Sequence, residues 1–276
     1  MPELPEVETY ARDLAALLPG RSFTGARVDW PNQIPLNSPA SLDAGVRGQT
    51  VTGVSRRGKY LVLRLSRDTL LVHLKMSGRL QLVPAADPPS PHAHVVFGMD
   101  RGDELRFYDP RKFGRVYLLG DPASLLGPLG PEPLDEALTP AAFHTRLAGR
   151  RGRLKPLLLD QTFIAGLGNI YVDESLWAAR LHPLRAADTL EPGEIDRLHR
   201  AIREVLARAI EARGTSFSAA GYRDLTGNPG EMQGTLAVFR RTGAPCPACG
   251  TPIVRLTVGQ RSTHICPRCQ RAPGTV

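Results

Sequence analysis

Four cysteines stand as Cys246-Pro247-Ala248-Cys249 and Cys266-Pro267-Arg268-Cys269, two Cys-x-x-Cys pairs sixteen residues apart. Four thiolates at that spacing can close a tetrahedron around Zn²⁺. Two disulfides are the alternative, and a cytosolic setting disfavours them. A redox pair would need only one Cys-x-x-Cys and a different fold. Four protein ligands leave no open coordination position, so one structural zinc per chain is expected. Val254 to Ile265, between the pairs, reads as a hairpin turning at Gly259, with Arg261 just past the turn. An arginine on a zinc-pinned hairpin suits a phosphate clamp; a solvated surface arginine is the plain alternative. Zinc with four thiolates carries a local charge of about −2, so the arginines of this tail are expected to point away from it.

The head of the chain offers different chemistry. Met1-Pro2-Glu3-Leu4-Pro5-Glu6-Val7-Glu8 is acidic, and as residues alone it reads as a helix start, with proline and glutamate in the first turn. Without Met1, Pro2 is a secondary amine at a chain end. An α-amino group with a pKa of about 7.9 is neutral at pH 7 roughly a few hundred times more often than a lysine at about 10.4. A neutral amine of this kind forms an iminium, the electron sink that a lysine Schiff base also provides. Further along, Gly166-Leu167-Gly168-Asn169 lies between two helical patterns. Its glycines permit a tight turn whose backbone N–H groups approach a phosphate at the next helix start, and Asn169 adds a donor. A dinucleotide-binding loop is excluded, because Tyr171 stands where the third glycine belongs and no strand precedes. His92 and His94 share a face if the strand alternates; without an acidic partner they read as ordinary strand histidines. His92 is still carried among the candidate DNA contacts.

These groups sit in a chain of 276 residues with 35 Lys+Arg against 27 Asp+Glu, a net charge of +8 and a pI near 9.7. That excess suits an anionic partner, most simply nucleic acid. From Arg240 onward there are six arginines and no acid. No eighteen-residue apolar run exists, and the head lacks the basic start and apolar stretch of a signal peptide, so a cytoplasmic, nucleoid-associated protein is expected.

Leu4, Val7, Ala11, Leu14 and Leu18 make one face of a helix that Pro19-Gly20 ends. Short β-rich runs follow at Tyr60–Leu65, Leu70–Leu74, Leu80–Val83, His94–Phe97 and Val116–Leu119. They predict a β-sandwich or barrel with one N-terminal helix. The Gly/Pro-rich stretch 126–133 reads as a boundary. Beyond it, Ile195, Leu198, Ile202, Val205, Leu206, Ala209 and Ile210 predict a long amphipathic helix, and the Gly/Ser/Thr/Asn-rich 214–233 a mobile loop. The expected fold is α+β in two domains: a β-sandwich (1–125), a linker (126–134), a helical domain (135–238) and a cysteine-bearing tail (239–276).

Six motifs in order give the chain a resemblance to the formamidopyrimidine-DNA glycosylase family. They are Pro2-Glu3-Leu4-Pro5-Glu6-Val7-Glu8, Arg57-Gly58-Lys59-Tyr60, His73-Leu74-Lys75-Met76-Ser77-Gly78, Asp109-Pro110-Arg111-Lys112-Phe113-Gly114, Gly166-Leu167-Gly168-Asn169-Ile170-Tyr171 and the cysteine tail with Gly259-Gln260-Arg261-Ser262-Thr263. The resemblance implies a helix–two-turn–helix element around Gly166–Asn169, a four-cysteine zinc finger and a lesion-capping loop at 214–233. It implies a monomeric base-excision enzyme that removes oxidised purines, such as 8-oxoguanine and formamidopyrimidines, from duplex DNA and cuts the strand by β,δ-elimination. In that reading Pro2 is the nucleophile, Glu3 the acid/base at the sugar oxygen, and Glu6 holds the amine or a water. Lys59 and Arg261 meet phosphate at the catalytic centre, Asn169 is a further phosphate contact, and Lys155 lies near the damaged base. Met76, Arg111 and Phe113 fill the space left by an everted nucleotide.

Phe239 replaces a tyrosine common in the family, His264 and Ile265 stand where aromatics are common, and 215–233 diverges in composition, which bears on base selectivity. An endonuclease VIII-like pyrimidine glycosylase and a non-catalytic zinc-ribbon DNA-binding protein are the rival readings. Leu4, Arg111, Phe113 and the long loop favour the purine branch over the first. The joint presence of Pro2, Glu3, Glu6 and Lys59 argues against the second.

Overall fold

A computed structural model of the chain describes residues 2–88, 90–218 and 221–273. The chain divides into two compact units, one of residues 1–128 and 210–233, the other of residues 129–209 and 234–276.

The first unit opens with α1 (Leu4–Leu17), followed by β1 (Phe23–Val28), α2 (Pro39–Val46), β2 (Val51–Arg57), β3 (Tyr60–Leu65), β4 (Thr69–His73), β5 (Arg79–Pro84), β6 (Ala93–Met99), β7 (Asp103–Tyr108), β8 (Arg115–Leu119) and the short α3 (Ala123–Leu126). Two four-stranded antiparallel sheets form, ordered β1-β6-β7-β5 and β2-β3-β4-β8. Alternation supplies the shared core: Leu61, Leu63 and Leu65 with Leu70 and Val72 from one sheet, Val95, Phe97 and Met99 with Leu105 and Phe107 from the other. Val7, Tyr10, Ala11 and Leu14 of α1 complete it at helical spacing. Leu225, far along the chain, buries in the same core.

That last contact explains a difference from expectation. Residues 210–233 group with the sandwich and not with the helical domain. Arg213 holds Asp13 of α1 at 2.6 Å and Asp224 at 2.7 Å, and Tyr10 Oη donates to the Arg223 carbonyl. The expected mobile loop is thus tied to α1 on both sides of Ala219 and Ala220, which lie outside the described residues.

The second unit contains α4 (Pro140–Leu147), α5 (Leu154–Leu159), α6 (Asn169–Ala178), most of α7 (Pro192–Glu211) and the hairpin β9 (Val254–Val258) with β10 (Arg261–Ile265). α5 and α6 flank the Gly166–Asn169 turn as expected, and α7 covers the long amphipathic pattern. Among the described residues no helix is long and apolar enough to cross a membrane.

Candidate active site and nucleic-acid contacts

Pro2 is buried and stands one residue before the N-cap of α1. Glu3, also buried, is extended at the helix N-cap, and its carbonyl accepts the Val7 N–H at 3.1 Å. The Glu6 side chain turns back over this end. One carboxylate oxygen accepts the Glu3 N–H at 2.7 Å and the other accepts the Thr215 N–H at 2.8 Å. Glu6 is only 1% exposed, so its charge is met by backbone donors in place of water. Gly214 makes the second bond possible: it has φ +88°, and a Cβ there would lie 2.8 Å from a Glu6 carboxylate oxygen. Glu8, two residues past Glu6, bridges Arg12 and Arg56. Burial works to raise its pKa, but hydrogen bonds from Arg12 and Arg56 outweigh it and hold the carboxyl below the ordinary range.

Lys59 sits in the tight β2–β3 turn, where Gly58 has φ +56°. It is 8% exposed. Its neighbour His73 is desolvated, and with the Lys75 and Lys59 cations acting on it its pKa is pushed down to about 3. A neutral His73 accepts the Lys75 N–H at Nδ1, 3.0 Å away. Burial and the Arg115 cation also lower the pKa of Lys75. Lys59 and Lys75 act on His73, and Arg115 acts on Lys75, so three cations are grouped here in a setting suited to phosphate. His73 and Lys75 belong to a quoted motif, yet nothing in their spacing singles them out.

Met76 and Phe113 are exposed apolar side chains, 42% and 47%, on the β4–β5 and β7–β8 loops. The Arg111 guanidinium lies 4.9 Å from the Phe113 ring centroid. His92 is half-buried, its ring edge-on to Tyr108 at 5.3 Å. His94 is the extra residue of a β-bulge, since Ala93 pairs with Tyr108 and Val95 with Phe107. The strict alternation expected of this pair is broken there, though the two rings remain neighbours at 6.4 Å.

In the second unit the Ser262 carbonyl is gripped twice, by the Asn169 side-chain amide at 3.0 Å and by Lys155 Nζ at 2.9 Å. Arg261, next in the chain, is exposed. The Asn169–Ser262 bond thus brings the hairpin residue next to Arg261 up to the start of α6. Lys155, which the resemblance places near the damaged base, is engaged within the protein in this structure. Its side chain is fully buried and its ammonium holds Asp173 at 2.6 Å, so it acts as an internal strut for the hairpin. Asp173 also accepts the His264 N–H at 2.9 Å. The adjacent Glu174 accepts from Ala237, Val238 and Phe239, at 2.8, 2.9 and 2.8 Å. Burial raises its pKa despite these donors. Phe239 and His264, two of the departures from the family pattern, pack edge to face at 5.0 Å.

The four cysteine sulfurs lie within 4.8 Å of one another. Zn–S bonds of about 2.3 Å in a tetrahedron place sulfurs about 3.8 Å apart, and the recorded separations of 3.4, 3.5 and 3.9 Å fit. All four are free thiols, so the disulfide alternative does not hold. One expectation fails in part. Arg268 and Arg271, with Arg180, line a cleft together with Cys249 and Cys269, so these two tail arginines share a surface with the cysteine cluster. Arg255 and Arg261 remain exposed on the hairpin.

Models of three families match in order: the formamidopyrimidine-DNA glycosylase N-terminal domain over residues 1–116, the H2TH domain of the same enzyme over 129–220, and a zinc finger found in FPG and IleRS over 243–272. A formamidopyrimidine-DNA glycosylase of Symbiobacterium thermophilum is 50% identical over 99% of this chain and 90% of its own length. One from Herpetosiphon aurantiacus is 48% identical over 98% of this chain and all of its own. Among solved structures, the MutM (FPG) protein of Thermus thermophilus aligns with a TM-score of 0.88 at 42% identity, covering 98% of each chain. Lactococcus lactis Fpg, solved with DNA containing N7-benzyl-Fapy-dG, aligns with a TM-score of 0.90 at 37% identity over 98% of this chain and 100% of its own.

Proposed function

The chain belongs to the formamidopyrimidine-DNA glycosylase family, and from that premise we propose that it excises oxidised purines from duplex DNA and then cleaves the strand. The Pro2 amine, freed of Met1, attacks the sugar C1′ as the bond to the damaged base breaks. Glu3 transfers a proton at the sugar oxygen, opening the ring to an iminium. Loss of the C2′ proton and expulsion of the 3′ and then the 5′ phosphate complete β,δ-elimination, with the iminium accepting electrons. The single observation that carries this reading is the Glu6 carboxylate bridging the Glu3 and Thr215 amides. It fixes the chain end, with Pro2 enclosed, in the geometry a terminal nucleophile needs.

Lys59, Asn169 and Arg261 hold phosphates, and Met76, Arg111 and Phe113 occupy the void beside the everted nucleotide. Arg111 donates to the base opposite the lesion. Cytosine offers acceptors on its exposed pairing edge, whereas adenine presents an amino donor there, so Arg111 favours cytosine. The four thiolates bind one zinc, which when bound supplies folding energy to the hairpin and no step of the reaction.

Single-turnover excision tests the substrate class. Duplexes carrying 8-oxoguanine should be processed well ahead of duplexes carrying an oxidised pyrimidine. The reverse order would favour the endonuclease VIII-like reading. Arg111→Ala should lose most of the preference for 8-oxoguanine opposite cytosine over adenine, an effect of about 1–3 kcal/mol.

A further inference from the structure

The two loops that carry Met76 and Arg111/Phe113 are separate crossovers between the sheets, β4 to β5 and β7 to β8. They meet at one side chain. The Asp109 carboxylate is fully buried. It accepts the Ser77 hydroxyl at 2.5 Å from the first loop, and the Gly114 and Arg111 amides at 2.6 and 3.3 Å from the second. Gln33 Nε2 donates a fourth bond at 3.1 Å. Both loops also close over one ring. A Cβ on Gly78 would lie 2.8 Å from Phe107 Cε2, and one on Gly114 would lie 2.7 Å from Phe107 Cε1.

Each loop is strained beside its wedge residue. Lys75, just before Met76, has φ 51°, and Lys112, between Arg111 and Phe113, has φ 59°. Left-handed backbone at a residue with a side chain is strained and persists only where its surroundings enforce it. In the second loop Asp109 holds amides, while Arg115 Nη1 holds the Phe113 and Gly114 carbonyls, each at 2.8 Å. The Lys112 ammonium sits 3.9 Å over the Trp30 ring. In the first loop the Ser77 hydroxyl is the link to this frame.

We propose that Asp109 is a positioning residue that locks the two loops into one rigid wedge, so that Met76 and Arg111/Phe113 enter the duplex together. This rests on the wedge role given above to those three side chains. Asp109 touches no reacting atom; it acts through Ser77 and through the 111–114 backbone. Ser77 is the clean place to test it, because Ser77→Ala removes one bond and leaves Asp109 three donors.

The experiment is stopped-flow fluorescence with the full chain and an 8-oxoguanine duplex carrying 2-aminopurine beside the lesion, whose emission rises as the base unstacks. Met76→Ala and Arg111→Ala define a slow wedge. Ser77→Ala should slow unstacking by about tenfold, the order expected for one hydrogen bond to a charged group, and Ser77→Thr, which keeps the hydroxyl, should restore it. A Ser77→Ala protein that unstacks at the wild-type rate while Met76→Ala and Arg111→Ala are slow would overturn the coupling and leave the wedge role standing. Wild-type rates in Met76→Ala and Arg111→Ala would overturn the wedge role and the coupling with it. Slowing in Ser77→Ala that Ser77→Thr does not relieve would also overturn it, since the hydroxyl would not be the link.

Discussion

Both units use a buried helix carboxylate to capture the backbone of a segment distant in sequence, but for different ends. In the first, Glu6 of α1 takes the Glu3 and Thr215 amides. In the second, Asp173 and Glu174 of α6 take amides at His264 and at Ala237, Val238 and Phe239. Glu6 anchors the amide that follows Pro2, so on the function proposed above its bonds belong to the geometry for chemistry. Asp173 and Glu174 border the cysteine hairpin, so theirs set where Arg261 stands. On the proposed function the same device serves reaction in one unit and grip in the other, so loss at the two places should separate rate from affinity.

The largest separation is expected at Glu3. Glu3→Gln should lower base excision by about 10²- to 10⁴-fold, the range of a general acid–base, with duplex affinity by fluorescence anisotropy nearly unchanged. A comparable fall in both would place Glu3 in binding. At the other end, Cys266→Ser should lose the metal, measured by elemental analysis, and with it most affinity for damaged and undamaged duplex alike, because structural zinc binding is folding energy. Full affinity in the metal-free variant would break the comparison.

A smaller effect sharpens it. Glu174→Ala leaves three buried amides without their acceptor and should destabilise by about 2–4 kcal/mol, read as a lower thermal midpoint, while excision per folded molecule persists. The smallest belongs to Arg261. Arg261→Ala should reduce the salt slope of binding by about one unit with excision at saturating enzyme preserved.

Acid should weaken the first unit through His73. Its folded pKa of about 3 lies well below the ordinary 6.5 because of burial and the Lys75 and Lys59 cations. The unfolded chain therefore binds a proton first, and this contribution to stability, complete above about pH 6.5, declines as pH falls toward 3. Urea unfolding at pH 7.5 and 5 should show a shallower acid loss in His73→Asn than in wild type.

The cysteine pairs, the hairpin turn at Gly259, α1 and α7 were legible because spacing and periodicity encode them directly. β1, β2 and β7 were not. β1 and β2 each contain a glycine beside a register shift (Gly25 and Gly53), and β7 begins Asp103-Glu104, so none presents a clean apolar alternation. α6 hides its carboxylates for another reason: Ile170 to Leu176 is buried on every side, Asp173 and Glu174 included. A helix without a solvent face gives no periodic cue to which polar residue has a partner. Asp109 stood out only as the first residue of a family motif. Its four donors come from residues up to 76 positions away, and no local pattern carries that information. The joining of 210–233 to the sandwich depends likewise on Leu225 and Arg213 meeting partners near the start of the chain.

The central claim is that the terminal amine of Pro2 forms the covalent bond to DNA. Borohydride trapping on an 8-oxoguanine duplex, followed by intact-mass and peptide mass spectrometry, tests it most directly. The account predicts one adduct, on Pro2, in chains that lack Met1, and no adduct in chains that retain it. Full trapping of Met1-bearing chains, or an adduct on a lysine side chain such as Lys59, would contradict it.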